Sequence, residues 1–259
     1  MKIEAIFFVN WIFWAALSAG SMLVIGITEL GGGTTRGYRL FMAGLLAVFA
    51  AVLVASDLAL PADVPASATE ALRRPLTIAF AAGTGLYLVA TIARWPRAWL
   101  AIASGLLGLV ALVALAAAGG SRSAPIFAGQ LVLAALALGA VNAGMLLGHW
   151  YLVTPKLSPA PLRRMMWLLI GALVLQAIAF GVALAVVGTD PLVGSLAWLT
   201  WLRLGAGILL PIAATVLALL ATRAASLQAS TGLLYIGLAL VMAGSIAGAS
   251  ITYLTGVPV

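Results

Sequence analysis

The sequence has no cysteine. That excludes disulfides, cysteine-ligated iron–sulfur clusters and cysteine-ligated zinc within the chain. It has one histidine, His149. Bis-histidine haem ligation therefore cannot come from this chain alone; a haem would need His149 together with a methionine such as Met145, Met165 or Met166. Charge is also scarce. Only 7% of residues are charged, against roughly a quarter in a soluble domain. Such a chain cannot cover a water-facing surface. The longest connection between apolar runs covers residues 57–74, so no loop can hold a soluble catalytic domain.

The formal net charge of +7 does not indicate a nucleic-acid partner. Its Lys and Arg residues are scattered singly and in pairs between apolar runs, where they report membrane orientation. The start, Met1-Lys2-Ile3-Glu4, lacks the short apolar core and small-residue cleavage site of a signal peptide. The first apolar run is therefore read as a retained helix.

What the chain does have is apolar length. Some 64% of residues are hydrophobic, in runs that are continuous and rich in Leu and Ala rather than alternating. A helix needs about 20 apolar residues to cross a bilayer core. The runs predict eight such helices: Ala5–Leu30, Leu40–Leu60, Pro75–Ala93, Ala98–Ala118, Ile126–Val153, Met165–Val187, Leu192–Thr222 and Gly232–Leu254. The expectation is one all-α, polytopic transmembrane domain over residues 1–259, with short connections that make sequential helices antiparallel neighbours. Two packed four-helix groups are one arrangement that meets it.

Orientation follows from the basic residues. Arg36, Arg39, Arg94, Arg97, Lys156, Arg163, Arg164 and Arg223 fall after odd-numbered helices; Lys2, Arg73, Arg74 and Arg122 fall on the opposite side. The positive-inside rule puts the first set in the cytoplasm and both termini outside.

Ionisable groups inside lipid are costly and invite functional readings. Glu29 and His149 both lie near the cytoplasmic ends of their helices. One reading makes them a proton relay beside a bound ring, walled by Trp150 and Tyr151. The other leaves both solvated in the headgroup zone. Asp57 lies near the outer end of helix two. Arg203, about ten residues into helix seven, is expected near mid-depth and inside the bundle, within reach of Gln130, Asn142 or Gln176. It either ties helices together or binds a carbonyl or anionic group. The eight tryptophans fall near helix ends and fit an interfacial belt. Pro211 removes a hydrogen bond from helix seven and is expected to kink it.

Three stretches carry a family resemblance: Ala19-Gly20-Ser21-Met22-Leu23 followed by Arg36 and Arg39, Ser56-Asp57-Leu58, and Arg203-Leu204-Gly205-Ala206-Gly207 through Pro211. With the eight-helix layout, they resemble the NrfD/DmsC/PsrC-type membrane anchors of molybdopterin and related oxidoreductases. The resemblance implies an integral membrane subunit that binds quinone or quinol and exchanges electrons with an iron–sulfur or other redox partner subunit. It also implies a bacterial cytoplasmic membrane. Members commonly carry a histidine or other polar residues at the quinone site in the early helices; the nearest equivalents here are Asn10 and Glu29. The cofactor-binding candidates are thus His149, Glu29, Trp150, Tyr151 and Arg203, with quinone as the expected ligand. Two other readings stand beside this one: a haem-binding membrane cytochrome, and an assembly subunit without chemistry of its own.

Overall fold

The computed structural model describes residues 3–61, 69–117, 124–154 and 157–257. The basic positions Lys2, Arg122 and Lys156, and the loop residues Asp63 and Pro65, lie outside them.

Eight helices in the described residues are long and apolar enough to cross a membrane. They are α1 (Ile3–Leu30), α2 (Arg36–Leu58), α3 (Glu70–Ala93), α4 (Ala98–Ala117), α5 (Ala124–Val153), α6 (Ala160–Val187), α7 (Ala197–Arg223) and α8 (Leu227–Thr255). The chain is an all-α integral membrane protein. Large apolar side chains such as Leu86, Val89, Val110, Leu175, Ile178 and Ile236 face outwards, where lipid covers them.

Six of the eight helices begin before their apolar runs. The run for α2 starts at Leu40, yet the helix starts at Arg36, because the Thr35 hydroxyl accepts a hydrogen bond from Tyr38 N–H and caps its first turn. Arg36 and Arg39 therefore belong to the helix, not to a loop. Likewise α6 starts at Ala160, with Pro161 in the first turn, where its missing N–H has no intrahelical bond to lose. Between α3 and α4 the chain reverses at Arg94, which takes a left-handed conformation at φ 63°.

The contacts form two rings of four helices, α1–α4 and α5–α8, joined mainly where α1 crosses α5. That crossing depends on two glycines. A Cβ on Gly20 would overlap the Ala135 carbonyl, and one on Gly139 would overlap the Gly20 backbone. Small residues let helix backbones meet where lipid supplies no hydrophobic drive. Close by, Asn142 of α5 donates to the Ser21 hydroxyl of α1 at 3.0 Å.

Helix α7 meets Pro211 through a local change of helix type. Residues Gly205–Leu209 form a π-helical turn, in which Leu210 N–H bonds back to the Gly205 carbonyl. Pro211 has no N–H and its ring would crowd the carbonyl four residues earlier in a regular helix. The widened turn absorbs that conflict just before the proline. Gly207, inside it, packs directly on Gly244 of α8.

Candidate functional site

Two buried guanidinium groups occupy the half of the bundle nearest the chain termini. The first is Arg73, at the start of α3. Its side chain is about 1% exposed and pairs with the carboxylate of Asp57 at the end of α2. Asp57 also accepts from Trp11 Nε1–H at 3.0 Å and from Arg74 Nε–H at 3.1 Å. The guanidinium carbon of Arg73 lies 5.1 Å from the Trp11 ring centroid, a cation–π contact. One turn from Trp11, Trp14 donates to Asn10, and Asn10 donates to Ser56. Residues of α1, α2 and α3 surround the ion pair, although Arg73 Nε, like Arg203 Nε, has no hydrogen-bond partner among the described residues.

The second is Arg203 in α7, about 3% exposed. It is the seventh residue of its helix, so about 9 Å of rise separates it from the helix start. That is shallower than mid-depth. The apolar run begins at Leu192, but Asp190–Leu192 form a separate 3₁₀ turn and the helix begins at Ala197. Of the three expected polar partners, Gln130 is the one that meets it: Arg203 Nη2 donates to Gln130 Oε1 at 3.3 Å. Asn142 is committed to Ser21, and Gln176 donates to the Leu133 carbonyl.

No carboxylate pairs with Arg203 among the described residues. Three polar atoms around it have no hydrogen-bond partner there: Arg203 Nε, Gln130 Nε2 and Ser245 Oγ. Because guanidinium only donates, Gln130 must present its oxygen to Arg203 and turn its N–H₂ away. All three residues line one cavity between α1, α5, α7 and α8. The cavity measures about 30 Å³. Half-buried Phe13 and Phe127 stand on its wall. The π turn begins two residues after Arg203, and the side chain lies against Gly248, where a Cβ would press on it. The cavity therefore offers donors and a positive charge within the span, with room at its wall for an oxygen-sized group.

The other candidates lie at the opposite end of the bundle and do not form one site. Glu29 accepts from Tyr87 O–H at 2.7 Å and pairs with Arg97 Nε at 3.3 Å. The exposed His149 ring meets Tyr235 of α8 edge-on, with Nδ1 3.4 Å from the hydroxyl. Trp150 turns towards α2, against Gly37 and Tyr38. Tyr151 donates to the Ser158 carbonyl. Successive helical residues point about 100° apart at 3.6 residues per turn, so the three neighbours face three directions. The contacts of Glu29 and His149 share no residue.

Trp95, Trp99, Trp167, Trp198 and Trp201 are all more than half exposed, as side chains of an interfacial belt are expected to be. Trp14 and Trp150 are half-buried, and Trp11 is the fully buried exception, against Asp57 and Arg73. The sequence signal for that exception is weak: Arg73 reads as a loop residue until α3 is seen to begin at Glu70. Among the described residues no group of three His, Asp or Glu side chains could hold a metal ion. Comparison with protein-family models, curated proteins and solved structures returns no match.

Proposed function

We propose that the chain is the quinone-interacting membrane subunit of a redox complex, and that the quinone or quinol binds at the Arg203 cavity. The observation that carries this reading is a buried guanidinium with no counter-ion among the described residues, facing a cavity beside other unpartnered polar atoms. A buried cation left in that state is costly, and a ligand with acceptor oxygens would relieve it. Quinones are lipid-soluble molecules with two carbonyl acceptors, and reduction raises the electron density on those oxygens. A fixed cation in a low-dielectric site favours that electron-rich form.

In this reading Arg203 Nε and Gln130 Nε2 donate to one carbonyl oxygen. Ser245 Oγ supplies a further donor or acceptor. Phe13 and Phe127 contact the ring at the mouth. The chain has no cysteine and a single histidine, so electrons leave or arrive through a separate iron–sulfur or other redox partner subunit. The basic-residue count places the Arg203 side outside a bacterial cytoplasmic membrane, together with both termini.

The test is a photoreactive quinone analogue applied to the protein in lipid nanodiscs, followed by mapping of the labelled peptides. Label on α1, α5, α7 or α8 around Ile12, Gln130 and Ser245, lost in Arg203→Leu, is the expected result. Label concentrated near His149 and lost in His149→Ala would move the site to the opposite face. Absence of saturable labelling would refute quinone binding and favour an assembly subunit.

A further inference from the structure

The end of the bundle opposite the termini carries a second charged cavity. It lies between the first turns of α6 and the last turn of α7 and measures about 320 Å³. Ala160, Arg163, Arg164, Trp167, Leu219 and Arg223 line it. Arg164 is tied to the α1–α2 connection, donating to the carbonyls of Gly31 and Gly32. Arg163 and Arg223 are exposed and have no acid or hydrogen-bond partner among the described residues. No carboxylate among the described residues lines the cavity. Glu29, at the same end, is occupied by Tyr87 and Arg97. The positive end of the α6 dipole adds to the field there.

The chemistry changes one turn deeper. Trp167 follows Arg163 by four residues, and Leu219 precedes Arg223 by four, so each lies on the same helix face as its arginine. The stripes continue with Val174 and Ile178 on α6 and with Val216 on α7, all exposed towards lipid. Guanidinium groups at headgroup level, an indole below them and an apolar stripe below that follow the polarity profile of a phospholipid. Basic pockets between transmembrane helices bind anionic head groups. A free phosphate would use the arginines but neither the indole nor the stripes.

We infer that this cavity binds an anionic glycerophospholipid, with its phosphate between Arg163 and Arg223 and its acyl chains along α6 and α7. The inference is independent of quinone binding at the other end of the bundle.

The experiment is native mass spectrometry of the detergent-solubilised protein, titrated separately with phosphatidylglycerol, phosphatidylcholine and inorganic phosphate. The expected result is saturable binding of phosphatidylglycerol, weakened about tenfold or more in the Arg163→Gln/Arg223→Gln double variant, with phosphatidylcholine binding unchanged by the substitutions. Arg163→Lys/Arg223→Lys, which keeps the charge, should retain most of it, and this pair reads the site if the glutamine variant folds poorly. Equal binding by wild type and the glutamine variant overturns the proposal. So does displacement of phosphatidylglycerol by millimolar inorganic phosphate, which would mark a site for the free anion.

Discussion

Arg73 and Arg203 are the same residue type, in the same half of the bundle, and both are almost fully buried. Their surroundings differ. Arg73 has a carboxylate from Asp57 and an indole face from Trp11. Arg203 has one long hydrogen bond to Gln130 and a cavity. Arg73 has its charge balanced by Asp57 within the fold, even though its Nε donates to no described atom. A buried cation without a counter-ion is either a standing cost or half of a binding site. The contrast between the two is the basis for assigning structure to one and ligand binding to the other.

The largest effect is expected on the closed side. Asp57→Ala leaves Arg73 buried and unpaired, which costs about 3–5 kcal/mol; denaturant or thermal unfolding in detergent measures it. Joint replacement, Asp57→Leu with Arg73→Leu, should return stability close to that of the wild type, because an apolar pair has no charge to desolvate. If the double variant is as unstable as Asp57→Ala, the pair is not the charge-balanced unit described above. Next comes Trp11→Phe, which removes an N–H bond to a carboxylate and keeps an aromatic ring under Arg73. The expected loss is about 1.5–3 kcal/mol, read by the same unfolding assay.

On the open side the same measurement should barely move. Arg203→Leu removes a buried charge that has no ion pair among the described residues, so stability should change by no more than about 1 kcal/mol in either direction. A loss as large as that of Asp57→Ala would show that Arg203 is structural. The smallest stability effect is expected from Ser245→Asp, which places a carboxylate on the same cavity and makes Arg203 resemble Arg73. Its melting temperature should stay within a few degrees of wild type while quinone binding falls; unimpaired binding would contradict the role given to an unpaired cation. Orientation has its own check. Reporter fusions at Pro155 and Val259 should report opposite sides of the membrane, with Val259 outside; two reporters on one side would overturn the span count.

Spans were legible because bilayer thickness imposes a length that apolar runs either reach or miss. Their ends were less so. A Thr35 cap and a tolerated Pro161 extend α2 and α6 through polar residues that hydropathy assigns to loops. The Arg203–Gln130 contact was legible as a choice among three polar residues, since an arginine inside a span must find a partner. Its depth was not, because Leu192 continues the apolar run without continuing the helix. The pairing of Asp57 with Arg73 stayed hidden for the same reason in reverse: Arg73 looks like loop and is helix. His149, Trp150 and Tyr151 look like one cluster in the sequence and diverge in space, because adjacency along a helix is not adjacency on its surface.

The central claim, that Arg203 holds a ligand where Arg73 holds a counter-ion, is tested most directly by equilibrium quinone binding to the purified protein in nanodiscs. Wild type, Arg203→Leu and Arg73→Leu/Asp57→Leu are compared at matched folding. Arg203→Leu should lose about tenfold or more in affinity, as expected when a charge-assisted hydrogen bond is removed, and the double variant should keep the wild-type value. Unchanged affinity in Arg203→Leu, or equal loss in the two variants, would contradict that claim.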